Sequence, residues 1–148
     1  METKKIYIHA NITEMSKKIE KILRSKLVKS GLRVFEDLTG DTELIICVGG
    51  DGTLLHLMQE KDFPDTPVVG INTGHLGFFQ EILPEKIDDF IFKYNQGQYS
   101  VQAFSTVKAT VVTGHGIFTH TALNEIAVKG EMTYPVHLNI SINESFIE

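Results

Sequence analysis

Cysteine is almost missing from this sequence. Cys47 is the one cysteine among 148 residues, which excludes a disulfide within the chain. Its position in the apolar run Leu44-Ile45-Ile46-Cys47-Val48 predicts a buried, inert thiol. Long hydrophobic runs are missing too. No stretch approaches the roughly 18 apolar residues that span a bilayer, and the apolar segment behind Met1-Glu2-Thr3-Lys4-Lys5 is too short for a secretory signal. A cytoplasmic location with no membrane partner is therefore expected. Nor is there a concentrated basic surface. Lys and Arg total 14 against 19 Asp and Glu, a formal charge of −5, and the basic residues are dispersed except near Lys17, Lys18, Lys21 and Arg24. A nucleic-acid partner is excluded on that ground, because phosphate backbones select clustered positive charge. With 42% hydrophobic and 22% charged residues, what remains is the composition of a folded globular protein.

The first hundred residues alternate short apolar runs with helical periodicity. Lys4 to Ala10 reads as a strand, and Ile12, Met15, Ile19, Ile22, Leu23 and Leu27 then recur at the three-and-four spacing of a half-buried helix. Asn11 is its expected N-cap, with Glu14 three residues on, and Gly31 its expected C′ residue. Strands are expected at Leu32–Glu36, Leu44–Val48 and Pro67–Ile71. Helices are expected from about Thr53 to Lys61, and from Pro84 through Ile87, Phe90, Ile91 and Tyr94 to Gly97. Such punctuation predicts an α/β fold, a parallel sheet covered by helices.

After about Tyr99 the period changes to two. Strands are expected at Thr106–Val112, Ile117–Leu123, Glu125–Lys129 and Val136–Ile142, the last with Val136, Leu138, Ile140 and Ile142 on one face. Residues 1–99 are thus expected to form the α/β domain and residues 100–148 the first strands of an antiparallel β-rich domain. Asn143-Glu144 reads as a hairpin turn followed by only Ser145–Glu148, so the β domain is expected to be incomplete, truncated or finished by another chain.

Chemistry concentrates in two glycine-rich loops, each behind an apolar strand. In Gly49-Gly50-Asp51-Gly52-Thr53, glycines admit close approach by another molecule, and the N–H groups opening the next helix favour phosphate. The spacing is neither that of a dinucleotide fingerprint nor of a Walker A loop. Asp51 is the unusual member. A carboxylate beside phosphate is repulsive unless it binds a metal or takes a proton, the two tasks of phosphoryl transfer to a hydroxyl; the plainer alternative is that Asp51 makes an Asx-type turn and caps the helix. The second loop, Gly70-Ile71-Asn72-Thr73-Gly74-His75-Leu76-Gly77-Phe78, places a second glycine-rich segment at a strand's carboxyl end, where open α/β sheets bind ligands. Of Phe78 and Phe79, one is expected to pack in the core and the one beside Gly77 to offer a flat face to an adenine. His115 and His120 share a hairpin, but without further ligands at matching spacing no metal centre is expected.

Val48–Leu55, Gly70–Phe78 and Ala122-Leu123-Asn124-Glu125 resemble, in order and separation, three successive signatures of the NAD kinase family, and the similarity extends over essentially the whole chain. Lipid kinases share the first signature; the second and third together are far more selective. The resemblance implies an enzyme transferring a phosphoryl group from ATP or inorganic polyphosphate to the 2′-hydroxyl of NAD's adenosine ribose, with Mg²⁺ or another divalent cation. It implies homo-oligomers with NAD and ATP as small-molecule partners. By family analogy Asp51 is the catalytic residue; Gly49, Gly50, Gly52, Thr53, Asn72, Thr73, Gly74, Gly77 and Phe78 line the nucleotide site; and Asn124 and Glu125 hydrogen-bond NAD. The family's next Gly-Asp-Gly segment lies beyond Glu148, so the chain alone is expected to bind weakly and to be inactive. The position of His75 is often arginine in relatives, and no catalytic role is assigned to it. Two alternatives remain: a lipid kinase sharing the first loop, and a non-catalytic dinucleotide-binding or assembly module.

Overall fold

The computed structural model describes residues 4–74, 77–131 and 135–147. The chain divides into two units, Met1–Ser105 and Thr106–Glu148. In the first, strands β1 (Lys5–Ala10), β2 (Arg33–Phe35), β3 (Leu44–Gly49) and β4 (Val68–Asn72) form one sheet in the order β2-β1-β3-β4. All its pairs are parallel, with Tyr7 opposite both Phe35 and Ile45, and Gly49 opposite Asn72. The connections are α1 (Glu14–Lys29), between β1 and β2, and α2 (Asp51–Glu60), between β3 and β4; α3 (Ile87–Asn95) follows a 3₁₀ turn at Pro84–Lys86. Parallel neighbours need such crossovers, and the crossovers cover the sheet.

Alternation along the strands assigns each face its layer. Ile6 and Ile8 of β1 and Leu44, Ile46 and Val48 of β3 join Ile19, Leu23 and Leu27 of α1 and Ile87, Ile91 and Tyr94 of α3 in one buried cluster. Tyr7, Ile45 and Cys47 belong to the opposite pleat and are also buried, with Leu54 and Leu57 of α2. Sheet order reverses between β1 and β3. Their adjacent carboxyl ends, Ala10-Asn11 and Gly49-Gly50, therefore form the topological switch point at which such sheets open a crevice.

Local chemistry corrects several expected boundaries. The N-cap of α1 is Thr13, not Asn11: Thr13 Oγ1 accepts from Ser16 N at 3.3 Å, while Asn11 Oδ1 accepts from Thr13 N at 3.1 Å. Its inward stripe is Ser16, Ile19, Leu23 and Leu27, whereas Ile12, Met15 and Ile22 face outward. Gly31 does occupy the C′ position. Its φ of +82° closes a Schellman pair, in which Gly31 N donates to Val28 O and Leu32 N to Leu27 O, each at 3.1 Å. Helix α2 begins two residues before the expected Thr53, because Gly50 adopts the extended N-cap conformation and releases Asp51 into the first turn.

The second unit contains two antiparallel ladders. Strands β5 (Val107–Thr113) and β6 (Gly116–Ala122) pair in register, and β7 (Ile140–Ile142) pairs with β8 (Ser145–Ile147) through a turn whose residues Asn143 and Glu144 have φ of +49° and +67°. Two positive φ values mark the turn type that matches strand twist. The expected strand at Glu125–Lys129 does not form, and only Ile140–Ile142 of the expected Val136–Ile142 is strand. The backbone there lacks ladder partners among the described residues, and Val136, Leu138, Ile140 and Ile142 are all exposed.

The buried face of α1 and the exposed residue just before its cap should differ sharply on truncation. Leu23 is fully buried and Ile12 is 90% exposed. Leu23→Ala is expected to lower unfolding stability by about 2–5 kcal/mol, and Ile12→Ala by no more than about 0.5 kcal/mol, as read by equilibrium urea denaturation.

Candidate functional site

At the carboxyl edge of the sheet the two glycine-rich loops meet through Asp51. One carboxylate oxygen accepts from Phe78 N at 2.7 Å and the other from Phe79 N at 3.0 Å. Hydrogen bonds to a charged acceptor contribute about 1.5–3 kcal/mol each, so this is a strong tie between segments 27 and 28 residues apart. The Asx turn proposed as the plainer role of Asp51 is not its arrangement. Gly50 is the N-cap, the helix has no side-chain cap, and the carboxylate reaches across to the other loop. An ionised carboxylate offers about four lone-pair directions. Two of Asp51's are taken by N–H groups, and the side chain is only half buried, so it can still engage a ligand.

The glycines separate into two groups. At Gly49, Gly70 and Gly77 the protein itself occupies the space a side chain would need: a Cβ would overlap the Thr53 side chain, Gln80 with the Phe79 carbonyl, and the Asp51 carboxylate, respectively. Gly50, Gly52 and Gly74 have no described atom within 4 Å of that position, and their φ values are not in the left-handed region. Among the described residues neither packing nor backbone strain requires glycine there. Their backbone is therefore open to approach by another molecule.

A polar frame fixes this edge. Asn11 N donates to Val48 O at 2.8 Å and its Nδ2 to Thr53 Oγ1 at 3.0 Å, which joins the end of β1 to the first turn of α2. Thr13, Ser16 and Thr73 form a hydroxyl chain with contacts of 2.9 and 2.7 Å, and Thr73 N donates to Gly49 O at 3.1 Å. Asn72, buried, accepts from Gly74 N at 2.9 Å. Buried Gln80 donates from Nε2 to Gly50 O at 3.1 Å and lies 3.5 Å from Cys47 Sγ, leaving its Oε1 without a hydrogen-bond partner. Sequence patterns pointed to none of Asn11, Ser16 or Gln80 as part of this frame, since a lone polar residue beside a strand has no period to betray it.

The expected site residues fall as follows. Asp51, Gly49, Gly50, Gly52, Thr53, Asn72, Thr73, Gly74, Gly77 and Phe78 all belong to these two loops; His75 and Leu76 lie outside the described residues. Phe78 is 93% exposed, while Phe79 packs edge-on against Phe104 with ring centroids 5.8 Å apart. Asn124 and Glu125 belong to the second unit, just past β6, and are exposed there. His115 and His120 are exposed in the β5–β6 hairpin and are not part of a metal-capable group; the group found among the described residues is His9, His56 and Glu60. Burial pushes His9 below the ordinary imidazole range, with neighbouring Glu60 opposing that shift. Burial also pushes the Cys47 thiol up to about 11, and Gln80 only partly opposes it.

Three comparisons bear on this geometry. The family model described as the ATP-NAD kinase N-terminal domain matches residues 4–99. An NAD kinase of Finegoldia magna is 34% identical over 148 residues, covering 99% of this chain and 54% of the relative. The chain spans about half the length of the curated relatives it matches. Among solved structures, a yeast NADH kinase complexed with NADH superposes with a TM-score of 0.65 at 15% identity, covering 82% of this chain and 47% of that one. An Archaeoglobus fulgidus NAD kinase in complex with ATP gives 0.54 at 20% identity, covering 78% and 45%. At those identities the superpositions show a shared fold.

Two measurements check the geometry. Gly77→Ala forces a methyl group onto the Asp51 carboxylate, so amide exchange at Phe78 and Phe79 should accelerate by about tenfold or more while amides of β1 and β3 remain protected. Cys47 should resist alkylation in the native state at pH 8 and react on denaturation. Because its folded-state value lies above its ordinary one, its contribution to stability is complete below about pH 9 and is lost as pH rises toward 11, a loss that Cys47→Ala should abolish.

Proposed function

This chain belongs to the NAD kinase family, and on that premise we propose that the complete protein phosphorylates the 2′-hydroxyl of NAD's adenosine ribose to make NADP. The observation that carries the proposal is a half-buried carboxylate, Asp51, at the junction of two glycine loops on the carboxyl edge of a parallel sheet, beside glycines open to a ligand. In the proposed reaction Asp51 takes the hydroxyl proton as the ribose oxygen bonds to the terminal phosphorus of the donor. The bond from that phosphorus to its bridging oxygen breaks, and ADP leaves, or polyphosphate shortened by one unit. The uncapped first turn of α2 faces the donor's phosphates with its N–H groups. Gly49, Gly50, Gly52 and Thr53 supply that loop, Asn72, Thr73, Gly74 and Gly77 the opposing one, and the exposed Phe78 ring lies against adenine.

We place Asn124 and Glu125 on NAD as well. Asn carries the donor and acceptor that read an adenine edge, and Glu accepts from ribose hydroxyls. Residues 100–148, on this view, contribute the first strands of a β-rich NAD-binding domain, a role supported by the exposed apolar residues on β5 to β7. A divalent cation such as Mg²⁺ fits the chemistry, because Asp51 is a hard oxygen ligand of the kind that holds Mg²⁺ together with substrate phosphates and water. Bound there, it would neutralise charge on the transferred phosphoryl group. The proposal includes a cytoplasmic homo-oligomer; no described helix is long and apolar enough to cross a membrane.

The test offers the complete protein NAD or diacylglycerol, each with ATP or polyphosphate. NADP formation without labelled lipid is the expected result; labelled lipid without NADP would replace this proposal with a lipid kinase. Asp51→Asn should lower turnover by about 10²–10⁴-fold while NAD affinity changes by only a few fold, and near-normal turnover would remove Asp51 from its role.

A further inference from the structure

We propose that His9, His56 and Glu60 form a divalent transition-metal site, of the zinc, cobalt or nickel class, that pins helix α2 to strand β1 on the side of the sheet away from α1. The three side chains come from two elements. His9 stands near the carboxyl end of β1, opposite Cys47 in the neighbouring strand, and His56 and Glu60 are separated by one turn of α2. One ligand atom from each lies within 4.8 Å of the other two. The His9 and His56 rings stack with centroids 6.5 Å apart and planes 26° apart, and His56 Nδ1 is 3.6 Å from Glu60 Oε2.

A surface ion pair accounts for His56 and Glu60, which have the i, i+4 spacing of ordinary helix partners. It does not account for His9, a half-buried imidazole on another element that completes a triangle with them. Two imidazoles and one carboxylate are a ligand set for zinc and its first-row neighbours, and a poor one for Mg²⁺ or Ca²⁺, which prefer oxygen throughout. Metal bonds of about 2.0–2.2 Å require the ligand atoms to draw closer by about an ångström. His56 and Glu60 can supply that movement by rotamer changes, since their side chains are 73% and 44% exposed, while His9 remains the fixed point. Glu60 Oε1 is already paired with Lys61 Nζ at 2.9 Å, which directs Oε2 toward the histidines and makes Glu60 a one-oxygen ligand. Three protein ligands leave a fourth position for water or an exogenous group.

The site stands apart from the glycine loops. At 1.5 Å per residue, His56 lies about 7.5 Å and Glu60 about 13.5 Å along the helix from Asp51. It does not depend on the phosphoryl-transfer proposal, and its readouts are independent of activity.

The test uses untagged, metal-stripped protein titrated with Co²⁺ and then Zn²⁺. A visible Co²⁺ spectrum of low-coordinate intensity, displaced stoichiometrically by Zn²⁺, is expected. His56→Ala and Glu60→Gln, both at exposed positions, should each weaken Zn²⁺ binding by about tenfold or more, as measured against a competing chelating dye, with far-UV circular dichroism matching the parent. The His115→Ala, His120→Ala double variant should bind as the parent does. Absence of the cobalt spectrum, or its persistence unchanged in His56→Ala, overturns the site.

Discussion

The edge of the first unit depends on one contact: the Asp51 carboxylate receiving two backbone N–H groups from Phe78 and Phe79. Parallel strands deliver their loops to the same edge but do not make those loops touch. The loop after β3 turns at once into a helix, and the loop after β4 runs out before returning beside Ile71 through a bridge at Ile82. An anionic side chain at the first turn of α2 meets N–H groups that would otherwise need water, and it is favoured there by the helix dipole as well. Gly77 makes the approach possible, because any side chain at that position would occupy the carboxylate's place.

The frame behind that contact is layered. Asn11 holds Thr53, Thr53 fills the space above Gly49, and Gln80 holds the Gly50 carbonyl from below. Asn11 directly follows β1 and Thr53 sits in the first turn of α2, so the frame ties the loops to the ends of β1 and β3. The same division of faces separates the two sites. The glycine loops sit beyond the strand ends, while the His9, His56 and Glu60 group lies where α2 meets strand β1.

Much of this was legible in the sequence because it is periodic. Alternating apolar runs located the parallel strands, and glycine clusters behind Val48 and Ile71 located the edge where the loops meet. Three-and-four spacing found α1 but not its face, since Ile12, Met15 and Ile22 repeat with the same period as Leu23 and Leu27 yet face outward. Ser16, a polar residue, takes the inward position because Thr73 satisfies its hydroxyl. Period two after Tyr99 found the β5–β6 and β7–β8 hairpins and over-extended the strands around Glu125 and Val136, where a ladder needs a partner that local pattern does not specify. Convergence across elements was invisible: His9 is forty-seven positions from His56, and only the crossover brings them together.

The split among the glycines has a practical consequence for directed evolution. At positions 49, 70 and 77 a side chain would meet the protein's own atoms, so diversity introduced there would displace Thr53, Gln80 or Asp51 from the frame. Positions 50, 52 and 74 have no described atom near a side chain's place and no left-handed backbone angle, so a library confined to them would vary the exposed edge of the loops while the sheet beneath stays intact.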